Sequence, residues 1–167
     1  MKILLRLSIL SLCLTTCLTV FSQVIKGNYA IKNLETGLLL RPLEASNKNE
    51  TPIVGYSPTN WKCMTWNFMQ VSGNTYCLKN LLTHKTFQPA AAATDGITLK
   101  QEPLVTENQQ QQWEFIPAEK GTYLIRLKET ELYLTAVKND INSNITLAAK
   151  KNNKTQYWTI YEQDPQY

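Results

Sequence analysis

Gly27-Asn28-Tyr29-Ala30-Ile31 recurs twice along the chain, as Gly73-Asn74-Thr75-Tyr76-Cys77-Leu78 and as Gly121-Thr122-Tyr123-Leu124-Ile125. The tyrosines Tyr29, Tyr76 and Tyr123 stand 47 residues apart in both intervals. A tryptophan closes each copy: Trp66, Trp113 and Trp158, at intervals of 47 and 45. Chance rarely gives two anchors one period. Thr36, Thr83 and Thr130 follow the tyrosine at one fixed distance, Leu40, Phe87 and Leu134 at a second, and Pro42, Pro89 and Ala136 at a third. Ile53, Ile97 and Ile145 each open a short apolar-polar alternation. Repeats of this length bury their apolar faces against one another. The three units run over about residues 27–70, 73–119 and 121–162.

Inside a unit the apolar period is two. Tyr29/Ile31, Tyr76/Leu78 and Tyr123/Ile125 each put two large residues on one strand face. Trp66-Asn67-Phe68, Trp113-Glu114-Phe115 and Trp158-Thr159-Ile160 repeat the pattern, and polar clusters such as 33–37 and 46–52 read as turns. No segment carries a helical stripe, although Ala90–Ala93 would tolerate a helical turn. Each unit therefore reads as four short strands. Propellers close with about four blades or more, so three units predict an all-β, β-trefoil domain of about twelve short strands. In it the tyrosines, the Leu40/Phe87/Leu134 set and the tryptophans fill the core.

The first residues belong to a different problem. Lys2 and Arg6 precede an apolar run to Phe21, and Val20-Phe21-Ser22 suits cleavage before Gln23. Residues 1–22 are expected to be a secretory signal peptide and 23–167 the single domain. A membrane anchor needs ~20 unbroken apolar residues, and Ser8, Ser11, Thr15 and Thr16 interrupt this run. Leu14-Thr15-Thr16-Cys17 loosely resembles a lipid-attachment site, but apolar residues continue past Cys17. The expected location is therefore outside the cytoplasm, extracellular or periplasmic.

Seventeen basic against 13 acidic residues give a net charge of +4, and the leader carries two of those positive charges. What remains is small and dispersed, which argues against nucleic acid or membrane insertion. Cys63 and Cys77 are the cysteines beyond the leader. Across a hairpin turning at Ser72-Gly73-Asn74, Cys77 lies opposite about position 68, too far along from Cys63 for easy bridging. Two separate thiols are expected.

The phased Gln111-Gln112-Trp113 and Gln156-Tyr157-Trp158, with Met64-Thr65-Trp66 departing from them, resemble the Gln-x-Trp repeats of the ricin B-chain-like lectins. The opening Gly27 to Gly37 is also similar to the start of that family's repeat, and the resemblance covers roughly residues 27–162. It implies a β-trefoil with sugar pockets, each made of an acidic residue, a stacking aromatic and a polar pair before the tryptophan. Carried over by position, the acidic place falls on Arg41, Gln88 and Thr135. The stacking place falls on Tyr56, Lys100 and Ala148, and the polar pair on Cys63-Met64, Gln110-Gln111 and Thr155-Gln156. No unit holds the full set. The first keeps an aromatic, so the expected carbohydrate-binding residues are Arg41, Tyr56, Asn60 and Trp61. Arg41 in the acidic place points to carboxylate-bearing sugars. The expected partners are glycans or glycoproteins, with no cofactor and no metal.

Other readings stay open. The pockets are either altered sugar sites or remnants in a protein-interaction module, and a trefoil protease inhibitor of the soybean Kunitz kind is a third possibility. Catalysis has little to build on: His84 is the single histidine, and Glu102, Glu107, Glu114 and Glu119 read as solvated charges. Nothing has metal-ligand spacing. Asn49-Glu50-Thr51, Asn144-Ile145-Thr146 and Asn153-Lys154-Thr155 fit the glycosylation acceptor pattern.

Overall fold

The computed structural model describes residues 24–167, so the expected signal peptide lies outside the described residues. Twelve strands appear among them. The first unit supplies β1 (Gly27–Asn33), β2 (Leu39–Pro42), β3 (Ile53–Tyr56) and β4 (Trp66–Ser72). The second supplies β5 (Thr75–Asn80), β6 (Thr86–Pro89), β7 (Leu99–Glu102) and β8 (Trp113–Pro117). The third supplies β9 (Tyr123–Leu127), β10 (Leu132–Ala136), β11 (Ile145–Ala149) and β12 (Tyr157–Glu162).

Antiparallel pairing runs β1–β4–β5–β8–β9–β12 and returns from β12 to β1, which closes a six-stranded barrel. The remaining strands form three hairpins, β2–β3, β6–β7 and β10–β11. Single bridges, Pro52 to Lys100, Val54 to Asn144 and Thr98 to Thr146, tie the hairpins into a cap. Closure removes the free edges that an open sheet of short strands would expose. This is the β-trefoil.

The core lies where barrel meets cap. Trp66, Trp113 and Trp158 are fully buried beside Leu40, Phe87 and Leu134. Phe87 meets Trp66 edge-on at 5.1 Å and Trp113 at 4.8 Å. The Trp66 and Trp158 indoles donate to the Leu40 and Leu134 carbonyls at 3.1 and 2.9 Å. The buried Trp113 N–H has no partner, so the threefold symmetry is broken in the second unit.

Two expectations are corrected. Tyr76 is buried, but Tyr29 and Tyr123 are only half-buried. They sit at the barrel's open end, where Val24 and Ile25 reach across and the Ile25 N–H donates to the Tyr76 hydroxyl. That plug covers the middle tyrosine and leaves the other two at the rim. The second correction concerns register. Pro42 pairs with Ile53, Ala136 with Ile145, and Pro89 with Leu99, so Leu99 and not Ile97 is the matching residue. The three hairpin loops differ in length, and the 90–93 stretch is a bend rather than a helical turn.

Candidate functional site

Adjacent strands of the first hairpin set Arg41 and Tyr56 on one face, because Leu39 opposes Tyr56 and Arg41 opposes Val54. The Arg41 guanidinium carbon lies 3.5 Å from the Tyr56 ring centre, a cation–π stack. Trp61 stacks on Tyr56 from the following loop, with ring centres 6.4 Å apart and planes 30° apart. Three of the four expected residues thus form one column. Arg41 is the inner end, only 7% exposed, and Trp61 the outer, 41% exposed. One Arg41 Nη donates to the Asn142 side-chain oxygen at 3.0 Å, while its buried Nε has no partner. Asn60 is exposed, and its amide turns to the Asp164 carbonyl at 3.4 Å.

The loop carrying Trp61 is held from behind by the C-terminal segment. Gln163 donates to the Thr59 carbonyl and accepts from the Thr65 hydroxyl at 2.7 Å, and the Lys62 N–H donates to the Tyr167 carbonyl. Beneath Tyr56 lies a small apolar cluster of Ala30, Leu39, Cys63 and Met64.

Met64 explains this arrangement. In the other units a glutamine stands at its place and is consumed internally. Gln111 accepts from the Val105 N–H and donates to the Pro103 carbonyl and to Gln88. Gln156 accepts from the Lys151 N–H and donates to the Ala149 carbonyl and to Thr135. The Gln-x-Trp glutamine therefore folds the loop before each tryptophan strand and satisfies the side chain in the family's acidic place. Met64 offers no such partner. Arg41 turns instead to Tyr56 and to Asn142 from the third unit.

The corrected register moves the second unit's stacking place from Lys100 to Glu102, since Thr86 opposes Glu102 as Leu39 opposes Tyr56. Lys100 pairs with Glu50 at 3.1 Å and Glu102 at 3.2 Å, and these hydrogen bonds hold its ammonium above the ordinary lysine pKa. In the third unit Thr135 and Ala148 leave an open hollow of about 450 Å³, lined also by Asp95, Lys151 and Thr155.

Asn33 and Asn80 are organising residues outside the expected binding set. Each side-chain oxygen accepts two backbone N–H groups of the following turn, from Glu35 and Thr36 or from Leu82 and Thr83. Their shared place four residues after the repeat tyrosine was the available signal; Leu127 breaks it in the third unit. Asn142, the partner of Arg41, had no such signal, because their contact joins units far apart in sequence.

His84 is exposed in the turn after β5, at φ 59°, the place Gly37 fills in the first unit at φ 70°. Cys63 and Cys77 are free and buried. Burial pushes both thiols up, opposed at Cys63 by the nearby Arg41 charge and reinforced at Cys77 by Glu107. Among the described residues no group of three or more His, Cys, Asp or Glu side chains is gathered for a metal. No helix there is long and apolar enough to cross a membrane.

A barrel of three pseudo-repeats whose Gln-x-Trp glutamines brace the pocket loops defines a class, and the sequence comparison agrees with it. The profile described as ricin-type beta-trefoil lectin domain-like matches residues 62–147, and the chain belongs to that family. A search of the curated proteins finds no match. Among solved structures, the designed threefold-symmetric protein ThreeFoil is similar with a TM-score of 0.78 at 17% identity, over 81% of this chain and 99% of that one. The Macrolepiota procera ricin B-like lectin, solved with lactose, gives 0.72 at 21% identity, over 86% and 100%. An exo-β-1,3-galactanase from Clostridium thermocellum gives 0.75 at 19% identity, over 81% of this chain but 30% of the enzyme.

Proposed function

We propose that this chain is a secreted, non-catalytic carbohydrate-binding module that holds its ligand at the first unit, around Arg41, Tyr56, Asn60 and Trp61. The observation that carries the reading is the stacked column: an exposed tryptophan face fixed in orientation by Tyr56 behind it and by the C-terminal brace. A sugar presents an apolar C–H face to such a ring. A platform already immobile loses little entropy when it binds. Family membership and the lactose complex of the Macrolepiota lectin support the same class of ligand.

Arg41 favours saccharides bearing a carboxylate. Its charge acts from inside the column, where solvent screens it less than it would an exposed arginine. Salt should therefore weaken acidic-sugar binding only modestly. The non-catalytic part of the proposal is supported by membership of a lectin-like family and by the likeness to the Macrolepiota lectin.

The test is a glycan array with neutral, uronic and sialic acid sugars, probed with residues 23–167 and with Trp61→Ala, Tyr56→Ala and Arg41→Ala. Trp61→Ala and Tyr56→Ala should abolish or strongly weaken binding to every ligand at this site, and Arg41→Ala should chiefly weaken acidic ones. A wild-type protein that binds no glycan, while capturing a protein partner through the same face, overturns this reading in favour of an interaction module. Cleavage before Gln23 in the mature protein, read by N-terminal sequencing, tests the secretion part.

A further inference from the structure

Across the cap three hollows lie in series. The third-unit hollow, about 450 Å³, shares Val137 and Thr146 with a second of about 430 Å³ beside the β10–β11 loop. The second shares Thr98 and Asn144 with a third of about 290 Å³ against the first and second units. Sharing these lining residues, the three hollows follow one another across the cap and together make a shallow, interrupted groove. Thr98 and Thr146, which bridge the β7 and β11 hairpins, both line the middle hollow.

The chemistry of the groove is uniform. Each hollow carries one lysine and one carboxylate: Lys151 with Asp95, Lys138 with Asp140, and Lys100 with Glu50. Counted over its lining its net charge is near zero, with Glu102 on the far side of Lys100 adding a negative charge at one end, unlike the cationic first-unit column. Between the charges stand hydroxyl and amide side chains, which suit a ligand with many alcohol groups. Val137 and Ile141 add apolar surface, being 57% and 54% exposed. None of the hollows has an aromatic ring, so one sugar unit gains little there, and useful affinity requires several in a row.

We infer that this groove binds a neutral, linear oligosaccharide along its length, as a second site distinct from the first-unit column. The inference rests on the reading of the chain as a glycan-binding module and adds the ligand's shape and charge. The middle hollow also touches the first site: Asn142, which lines it, is the acceptor for Arg41.

Calorimetric titration of the bacterially expressed protein with neutral hexose and pentose oligosaccharides of one to six units tests it, beside an oligogalacturonate series. Val137→Glu narrows the passage between the first two hollows, and Asn144→Ala removes an amide shared by the second and third. Both positions are exposed, and matched melting temperatures check that the variants fold. At least one neutral series should gain tenfold or more in affinity from two units to six. Val137→Glu and Asn144→Ala should remove that gain, and Trp61→Ala should leave it. Neutral binding that stays flat with chain length, or a gain that survives both groove variants, overturns the groove while leaving the lectin reading intact. A protein that binds neither the neutral oligosaccharides nor any sugar on the array overturns the lectin reading and the groove with it.

Discussion

Position 64 shows how much one residue decides. Gln156 is fully buried and spends its amide on the Lys151 N–H, the Ala149 carbonyl and Thr135. Gln156→Met should leave those groups without their partner and cost about 1–3 kcal/mol. The reverse change, Met64→Gln, places an amide among Ala30, Leu39 and Cys63 and should also destabilise, by about 1–3 kcal/mol. Urea midpoints measure both; a neutral Met64→Gln would mean that the first unit retains the family's loop geometry after all. The thiols give a second expectation at this scale. Their native pKa values lie above the ordinary one, whereas the unfolded chain ionises near ~8.5. Their contribution is thus complete below that pH and is lost as pH rises through and past it, because the unfolded state then releases protons first. Stability of Cys63→Ala/Cys77→Ala should fall less steeply between pH 8 and 10 than that of the wild type. Equal slopes would place both thiols in contact with water. Of these residue roles the sequence disclosed the Gln-x-Trp positions and their departure at Met64. The burial of Arg41 was hidden, because its partner Asn142 arrives from the third unit through a hairpin loop whose length differs from its counterparts in the other two.

At the scale of elements the strands were legible where period two was uninterrupted, as in the tryptophan strands. The hairpin register was legible only where loops kept their length. In the second unit Ile97-Thr98-Leu99 offers two isoleucine-like positions two residues apart, and alternation alone cannot choose between them. Pairing does, since the cap needs Leu99 opposite Pro89 and buried in the core. In β3 the glycine at position 55 has little room for a side chain. A Cβ on Gly55 would stand 3.0 Å from the Leu38 Cδ1 and 3.2 Å from its Cβ, and the Gly55 backbone is bonded to Asn142 and Ser143 on both sides. Gly55→Ala should therefore destabilise by about 1–3 kcal/mol. Combined with Leu38→Ala it should cost less than the two single changes added together. Additive thermal shifts would show that the strand moves away from Leu38 freely, and that the third unit's loop does not pin it.

The molecule as a whole behaves as a ring. A solenoid repeat touches only its neighbours and unfolds piecemeal, but here the last strand returns to the first. β12 pairs with β1 from Tyr29–Glu162 to Asn33–Trp158, and also with β9. Asn33 strengthens the closure by donating to the Thr155 and Tyr157 carbonyls. The tryptophans share one core across units: Phe87 of the second unit meets Trp66 of the first as well as its own Trp113. Unfolding should consequently be a single cooperative transition, with tryptophan fluorescence and far-ultraviolet dichroism tracing one curve. Because closure joins residues over almost the whole domain, folding should also be slow for its size. The sharper expectation concerns a chain ending at Gln156, which lacks β12. In a piecemeal molecule the first two units would keep their protected amides and only the third would melt. In a closed ring, loss of β12 strips β1 of its longest ladder and takes Trp158 from the shared core. Amide exchange should then lose protection in β1, β4 and β5 as fully as in β9, and slow exchange persisting in those first strands would show that the barrel does not need closing to hold.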